Sequence, residues 1–434
     1  SIKSSAYNLQ IFIAGKDGAE DLDFYLYEEL ELVRSAFEAY DDYKGYMEYE
    51  RHGRSIGFQE KRRTVVLNVL KAWEDYQIRN GFLDHMGLCQ TALLAIEDAE
   101  KIPDLFQYRC VLVDEFQDFS TLDFRILQRI PKKQENGLFI TGDFSQKLYA
   151  KELNLPKAKL GPKERTSRTI RQNYRNSKQI LEAAHALITC YPPKLTEEES
   201  QGILNPIYAK RESAVPRAIN TDTPIEEAWK QAQDWVRDGN IGFSVCIATA
   251  NRDKYPVESL LDTCPDSLEA SKLTGDYMLS PNKVVVSDIT SIKGFEFSLV
   301  IIVGMGVGSF PLAGRPVEEH WRDALRLHVA ISRARDEVVF IHQDEPSPFL
   351  FAMDKYIRFT EADAIIEKEI EEKIHEEAKE ETVKATEPKV KLPLIKTADT
   401  TDSTEQANED DNNQKEPTQE EPEPRKEIPN SSDH

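Results

Sequence analysis

Residues 110–118, Cys-Val-Leu-Val-Asp-Glu-Phe-Gln-Asp, constrain the fold of this chain more than any other stretch. Four apolar residues run straight into Asp114 and Glu115. A short, uninterrupted apolar run predicts a strand buried on both faces. Two carboxylates at its end would sit at the edge of a parallel sheet, where open α/β folds bind ligands. One carboxylate can hold Mg²⁺ while the next orients or deprotonates a water, which is the equipment of a nucleotide-hydrolysing site. Taken alone, the same residues also fit a buried strand followed by an acidic helix N-terminus, which the helix dipole favours.

The 434 residues suggest two or three domains, at roughly 100–200 residues each. No apolar run reaches the roughly eighteen residues of a transmembrane helix, and Ser-Ile-Lys-Ser-Ser-Ala-Tyr at the start lacks the pattern of a signal peptide. The absence of an initiator Met suggests that the chain does not start where its gene does. Five scattered cysteines (Cys89, Cys110, Cys190, Cys246, Cys264) include no CxxC pair. Neither a zinc site nor a disulfide framework is therefore indicated, and a reducing, cytoplasmic compartment is expected. Net charge is −22, unevenly spread. Residues 361–434 hold 23 acidic and 10 basic residues, a net of −13, which leaves −9 for the rest. A mildly acidic body neither announces nor excludes nucleic-acid binding, because a local basic groove matters more than the total.

Residues 8–13 read as a strand. Ala19 to about Tyr49 reads as helical, and Glu60–Asn80 as a helix with Val66, Leu70, Trp73 and Tyr76 or Gln77 on one face. Gly81 is placed to cap that helix. Another helix is expected over His85–Ala99, ahead of the strand that ends at Asp114. A second buried strand (Leu138, Phe139, Ile140) ends in Thr-Gly-Asp. A loop rich in Lys and Pro (Lys151–Arg171) precedes a helix near Ser177–Thr189, and 191–240 reads as connecting and helical material. Phe243–Thr249, Val284–Asp288, Leu299–Val303 and Val338–His342 read as strands of a second parallel sheet. Beyond Ala352 the chain reads as an acidic helix (Glu361–Glu380). It then becomes a tail with almost no aromatics, which should be disordered because it cannot bury enough surface to offset ordering entropy.

Four further segments follow the Asp114–Glu115 strand in order. They are Thr141-Gly-Asp-Phe-Ser-Gln146-Lys-Leu-Tyr149, Arg171-Gln-Asn-Tyr174-Arg175-Asn-Ser, Thr290-Ser-Ile-Lys293-Gly294-Phe-Glu296-Phe, and Leu327-His-Val-Ala-Ile-Ser332-Arg333-Ala-Arg335. In this order and spacing the set resembles the later motifs of superfamily 1 DNA helicases of the UvrD/Rep/PcrA type. Trp73–Tyr76 with Gly81-Phe-Leu-Asp84 resembles the family's segment before the acidic strand, so the likeness covers about residues 60–345.

The resemblance implies an α/β fold of two RecA-like parallel-sheet domains, the first incomplete, with a helical segment at the N-terminus and a disordered acidic tail. The implied divisions are 1–100 for the helical subdomain and the remnant of the first domain, 101–172 for its second part, and 173–352 for the second RecA-like domain. An acidic helix at 353–380 and the tail at 381–434 follow. The implied cofactors are ATP and Mg²⁺, and the implied substrate is single-stranded or partially duplex DNA. By resemblance Asp114 takes the Mg²⁺ role and Glu115 activates water, while Gln146 senses the γ-phosphate. Tyr174 stacks on adenine. Arg175 and Arg333 reach the γ-phosphate from the second domain. Glu296, beside Gly294, contacts the ribose or the coupling network. Tyr149, Lys151, Thr290 and Ser291 fall where relatives meet nucleic acid. Arginine at both finger positions suits planar, bidentate phosphate recognition.

Some positions depart from the family pattern. Nothing before Asp114 matches GxxxxGK[ST], the loop whose amides cradle phosphate. Ala14-Gly-Lys-Asp17 lacks its first Gly and puts Asp at the hydroxyl position, so it reads as a turn. The expectation is an N-terminally truncated chain that does not turn over ATP alone. Lys151 stands where relatives often carry a stacking Trp, Thr290 where they carry His, and His328 where they carry Tyr. The stretch from Arg175 to Thr290 is too short for the extra domain that larger relatives insert. The first functional expectation is an ATP-dependent DNA helicase or translocase, 3′ to 5′ by analogy, serving repair, recombination or defence. The others are an ATPase-dead nucleic-acid-binding regulator, or one half of a split helicase whose missing part comes from a protein partner. The acidic tail is a second place where a protein partner could bind. No membrane association is expected.

Overall fold

The computed structural model describes residues 22–362, apart from 38–39, 52–53, 55–56, 100–102, 133–135, 149–150, 152, 157, 161–165, 167, 194–208, 239–243, 275–282 and 313–316. The expected strand at 8–13, the acidic helix beyond 362 and the tail lie outside the described residues.

The helical segment comes first. Leu22–Ala36 forms α1, and Tyr40–Met47 is a separate 3₁₀ helix, so the single helix expected to Tyr49 is broken in two. Glu60–Asn80 forms α2 and closes at Gly81 (φ 66°, ψ 35°), as expected. Its buried face runs through Val66, Leu70 and Gln77, while Tyr76 points outward. His85–Asp98 forms α3, capped by the Asp84 carboxylate, which accepts from the Gly87 N–H at 2.8 Å.

Asp84 also accepts from Trp73 Nε1 at 2.8 Å and pairs with Arg34 of α1, so one carboxylate ties three helices together. Burial pushes the Asp84 carboxyl up, but the hydrogen bonds from Arg34, Gly87 and Trp73 outweigh it and hold the group well below the usual range. A depressed folded-state pKa contributes stability that is present above the unfolded carboxyl value, about 3.9, and is lost as pH falls through the folded value. Asp84→Asn should therefore lower the urea midpoint at neutral pH, and the gap from wild type should close in strong acid. A gap that does not vary with pH would contradict this assignment.

Val111–Val113 (β1) and Leu138–Ile140 (β2) form a two-stranded parallel sheet. Val113 packs with Phe116, Phe124, Leu155 and Ala158, and Phe124 lies on α4 (Thr121–Leu127). The register pairs Leu112 with Phe139, and these are 75 % and 59 % exposed. The expectation of strands buried on both faces is thus corrected. Alternate residues face opposite ways, and among the described residues only one face of this sheet is covered.

Asn173–Ser177 (β3) runs into α5 (Lys178–Cys190), with the Ser177 hydroxyl capping the helix through the Ile180 N–H. It pairs with Ala209–Arg211 (β4). Arg217–Asn220 (β5), α6 (Pro224–Arg237), Val245–Thr249 (β6), α7 (Val257–Asp262), Glu269–Lys272 (β7), Lys283–Asp288 (β8) and Phe297–Val303 (β9) follow. His320–Ile331 (α8), Ala334–His342 (β10), α9 (Pro348–Ala352) and Arg358–Glu361 (β11) complete the order. The second sheet has seven parallel strands in the order β11-β5-β10-β9-β6-β8-β7.

Its four expected strands are β6, β8, β9 and β10. Strands β4 and β5 replace expected connecting material, and Glu361, expected to open the acidic helix, ends β11 instead. Alternation along the strands builds two cores. Cys246, Val285, Val300, Ile302, Val338 and Phe340 meet α5 and α8 on one face. Val245, Ile247, Val284, Val286, Leu299 and Ile301 meet α6 and α7 on the other. Helices on both faces are what an all-parallel sheet requires. Among the described residues no helix is long and apolar enough to cross a membrane.

Candidate functional site

The carboxyl ends of β1 and β2 meet residues that precede β9 and β10 of the second sheet. Asp114 follows β1 directly and is exposed. Its carboxylate accepts from Thr141 Oγ1 at 2.6 Å, just past β2, and from the Glu115 N–H at 2.9 Å. Those two bonds, Thr141 first, hold its carboxyl below the usual range, with Arg175 adding attraction.

Glu115 adopts the left-handed conformation (φ 51°, ψ 44°), which for a non-glycine residue costs roughly 1–2 kcal/mol. Backbone strain of this kind persists where surrounding contacts over-determine it, as at functional sites. Here the next residue, Phe116, donates its N–H to Thr141 O at 2.9 Å. Buried Gln117 supplies a second clamp. Its Nε2 donates to the Glu115 carboxylate and its Oε1 accepts from the Asp143 N–H at 2.9 Å, which joins the two strand ends. Gly142 leaves room for this amide. A Cβ there would lie 2.2 Å from Gln117 Oε1 and 2.8 Å from the Phe116 nitrogen.

Gln146 ends a 3₁₀ turn, Phe144–Gln146, and donates to Asp143 Oδ2 at 3.0 Å. Its Oε1 accepts from Arg333 Nη2 at 2.6 Å. Arg333 follows α8 and is 2 % exposed. Its Nε donates to Val329 O at 3.2 Å. Burial and the neighbouring Arg175 pull its pKa down to about 10, against attraction from Glu115, Glu296 and Asp143. It remains a cation at neutral pH.

Arg175 lies on β3 and pairs with Glu296 Oε1 at 2.6 Å. Both side chains are about 40 % exposed, so the pair contributes little stability and can open to a better anion. Tyr174 beside it is 65 % exposed, with its ring accessible. Buried Asn176 donates to Ser332 O at 2.8 Å and Ala334 O at 2.6 Å, which fixes the Arg175 strand against the Arg333 turn. Gly294 has φ 87°, a region that suits glycine. Lys293 bridges the two sheets, donating to Asp118 Oδ1 at 2.6 Å and Gln146 O at 2.8 Å. Burial raises the Asp118 carboxyl despite Lys293.

The expected catalytic and nucleotide residues (Asp114, Glu115, Gln146, Tyr174, Arg175, Gly294, Glu296, Arg333) thus lie around one junction. The expected nucleic-acid residues are partly engaged elsewhere. Tyr149 lies outside the described residues. Lys151 donates to Asp118 O at 3.3 Å. Thr290 and Ser291 direct their hydroxyls onto the buried Asp288 carboxylate, Ser291 at 2.7 Å. His328 donates Nδ1–H to Ala184 O at 3.2 Å, and burial holds it neutral.

Gln117, Gly142, Thr141 and Asn176 were not singled out by sequence reasoning. Only their position inside quoted motifs pointed to them.

Asp114 fits a Mg²⁺ ligand: it is an accessible, ionised oxygen donor at a strand end. Among the described residues no three His, Cys, Asp or Glu side chains cluster as a metal cage. Mg²⁺ bound through one or two carboxylates plus substrate phosphates needs no such cage.

A family profile described as the UvrD/REP helicase N-terminal domain matches residues 16–151. The chain is 28 % identical over 206 residues to DNA helicase II of Haemophilus influenzae, which covers 44 % of this chain and 27 % of that protein. It is 27 % identical over 180 residues to the probable DNA helicase II homolog of Mycoplasma genitalium, covering 36 % and 24 %. It is 26 % identical over 149 residues to the ATP-dependent DNA helicase PcrA of Bacillus subtilis, covering 32 % and 20 %. The matched region therefore spans about a quarter or less of these relatives. A solved C-terminal domain of a possible DNA helicase from a Lactobacillus aligns over 43 % of this chain and 98 % of its own, at 17 % identity and a TM-score of 0.31, too low to establish a shared fold. The family profile over residues 16–151 and the named relatives make this chain similar to DNA helicases of the UvrD/Rep/PcrA type.

Proposed function

We propose that this chain forms the water-activating and arginine-bearing part of an ATP-driven DNA helicase or translocase. The observation that carries the reading is the Arg333–Gln146 bond, which brings a buried cation of the second sheet to the strand ends that hold Asp114 and Glu115. Asp114 would hold Mg²⁺, which would supply positive charge to offset that of the phosphates. Glu115, fixed by Gln117, orients a water and takes its proton. Arg175 leaves Glu296 to meet the γ-phosphate, and Arg333 neutralises charge as the phosphoryl group transfers. Tyr174 offers its open ring face to adenine. Gln146 touches Arg333 and lies on the turn whose backbone Lys293 grips, so in this reading it passes the state of the phosphate to the DNA-binding side, for which Lys151, Thr290 and Ser291 are candidates by motif position. There the ligand is single-stranded DNA, with 3′-to-5′ movement by analogy and a role in repair, recombination or defence. We assign the first RecA-like part to 101–172 and the second to the seven-stranded sheet.

The 434 residues contain no GxxxxGK[ST] ahead of Asp114. The expected result is no DNA-stimulated ATP hydrolysis by this chain alone, and stimulated hydrolysis once a polypeptide carrying such a loop completes it. Turnover by the isolated chain would contradict the division of labour. Failure of the completed protein to hydrolyse ATP would favour the ATPase-dead regulator.

A further inference from the structure

We propose that Glu28 is a positioning residue for Arg333, clamping α8 onto the N-terminal helical segment so that displacement of α1 moves the arginine at the site. This rests on the reading of Arg333 given above. Glu28 lies on α1 and is buried. Its Oε2 accepts from Arg54 Nη1 at 2.6 Å and from Arg322 Nη1, and its Oε1 lies 3.8 Å from Arg326 Nη2. Arg322 and Arg326 are four residues apart on α8, hence on one helix face. The contact spans 294 positions of sequence.

The surroundings make the link rigid on both sides. On the helical side Glu29 accepts from Arg54 Nε at 2.9 Å and from Arg51 at 2.6 Å, and Tyr46 donates to it as well. On the α8 side Arg326 pairs with Asp323 at 2.7 Å and Arg322 with Glu319 at 2.9 Å. Four arginines thus face four carboxylates in a buried network. Burial alone would raise the Glu28 carboxyl, but Arg322, Arg54 and Arg326 reverse that and keep it ionised. Networks of this kind are poor sources of stability compared with apolar packing, and their best-attested use is to fix one arrangement. The arrangement fixed here is that of α8. The helix packs on α5 and on the Phe144–Gln146 turn, and its last turn leads directly into Ser332 and Arg333. A shift of α8 at Arg322 is therefore transmitted along a rigid rod of about 1.5 Å per residue to the Arg333–Gln146 bond.

Hydrogen exchange of the full chain, without nucleotide, tests this independently of whether the site hydrolyses ATP. Glu28→Gln keeps the side-chain shape and removes the charge. It should raise exchange at 329–335 and 144–148 by at least about tenfold, as loss of a buried charge partner warrants, with 245–249 and 297–303 unchanged. Arg322→Lys keeps the charge and loses the fork. It should give a smaller rise in the same two stretches, and it serves as the deciding variant if Glu28→Gln does not fold. A rise confined to 22–36 and 51–54, or one spread evenly over both sheets, would overturn the proposal by leaving Glu28 a purely structural residue.

Discussion

Arg333→Ala should lower DNA-stimulated ATP turnover by about 10³–10⁵, the range that an arginine neutralising a transferring phosphoryl group contributes in other nucleotidases. The expectation applies to protein completed with a phosphate loop. Three features make Arg333 the residue of largest effect. It is almost fully buried, so its charge acts in a medium that screens poorly. It is held by Val329 O and Gln146 Oε1, so it needs little reorganisation. It lies close enough to Arg175, Glu115 and Glu296 for each to bias its protonation. Arg333→Lys keeps a cation but loses the planar fork, and should recover only a small part of the rate. Steady-state hydrolysis with a parallel nucleotide-binding titration separates the effect on turnover from loss of binding. Turnover within about tenfold of wild type would remove Arg333 from phosphoryl transfer, since that lies well below the range for such arginines.

The largest expected effect on stability lies away from the site. Glu28→Ala leaves Arg54, Arg322 and Arg326 without their shared carboxylate, and breaking one side of a buried ion pair costs about 3–5 kcal/mol. Urea unfolding should show it as a lowered midpoint. Replacing Glu28, Arg54, Arg322 and Glu319 together with apolar residues of similar volume should cost far less, because two charges of each sign go together while Arg51 keeps Glu29 and Arg326 keeps Asp323. A loss below about 1 kcal/mol for Glu28→Ala would class the contact with exposed ion pairs and leave α8 held by packing alone.

What the sequence revealed follows from what is local. Strands β6, β8, β9 and β10 are apolar runs buried on both faces, so composition alone marks them. The strands β5, β7 and β11 escape the same test. Glu-Ala-Ser-Lys on β7 and Arg-Phe-Thr-Glu on β11 lie at the two sheet edges, where polar residues are tolerated and protective. β1 and β2 are legible as strands but not in their burial, because an apolar run does not say whether anything packs on Leu112 and Phe139. The helix Glu60–Asn80 was legible to the residue through its period and its capping glycine. The break after Ala36 was not, because Glu- and Tyr-rich sequence suits α- and 3₁₀-helix alike.

At the site, order along the chain identified residues that carry charge or rings. It did not identify the groups that hold them. Gln117 is an amide between an acidic pair and another Asp, and only its burial and the close approach of Gly142 reveal that it joins two strand ends. Lys293 was visible in its motif, but its grip on Asp118 and the Gln146 carbonyl exists only in the folded chain. Glu28 and Arg322 lie too far apart in sequence for any spacing rule to connect them. Thr290 and Ser291 stand at nucleic-acid positions by motif order alone, whereas in the folded chain their hydroxyls donate to Asp288.

The most direct measurement is ATP hydrolysis by the completed protein carrying Glu115→Gln, with ATP affinity measured alongside. The side chain keeps its size and its place beside Gln117 but can no longer accept a proton. Loss of a general base costs about 10²–10⁴ in rate. The expected result is turnover reduced by that factor with ATP binding retained. Unchanged turnover would contradict the assignment of Glu115, and with it the reading of this junction as a hydrolytic site.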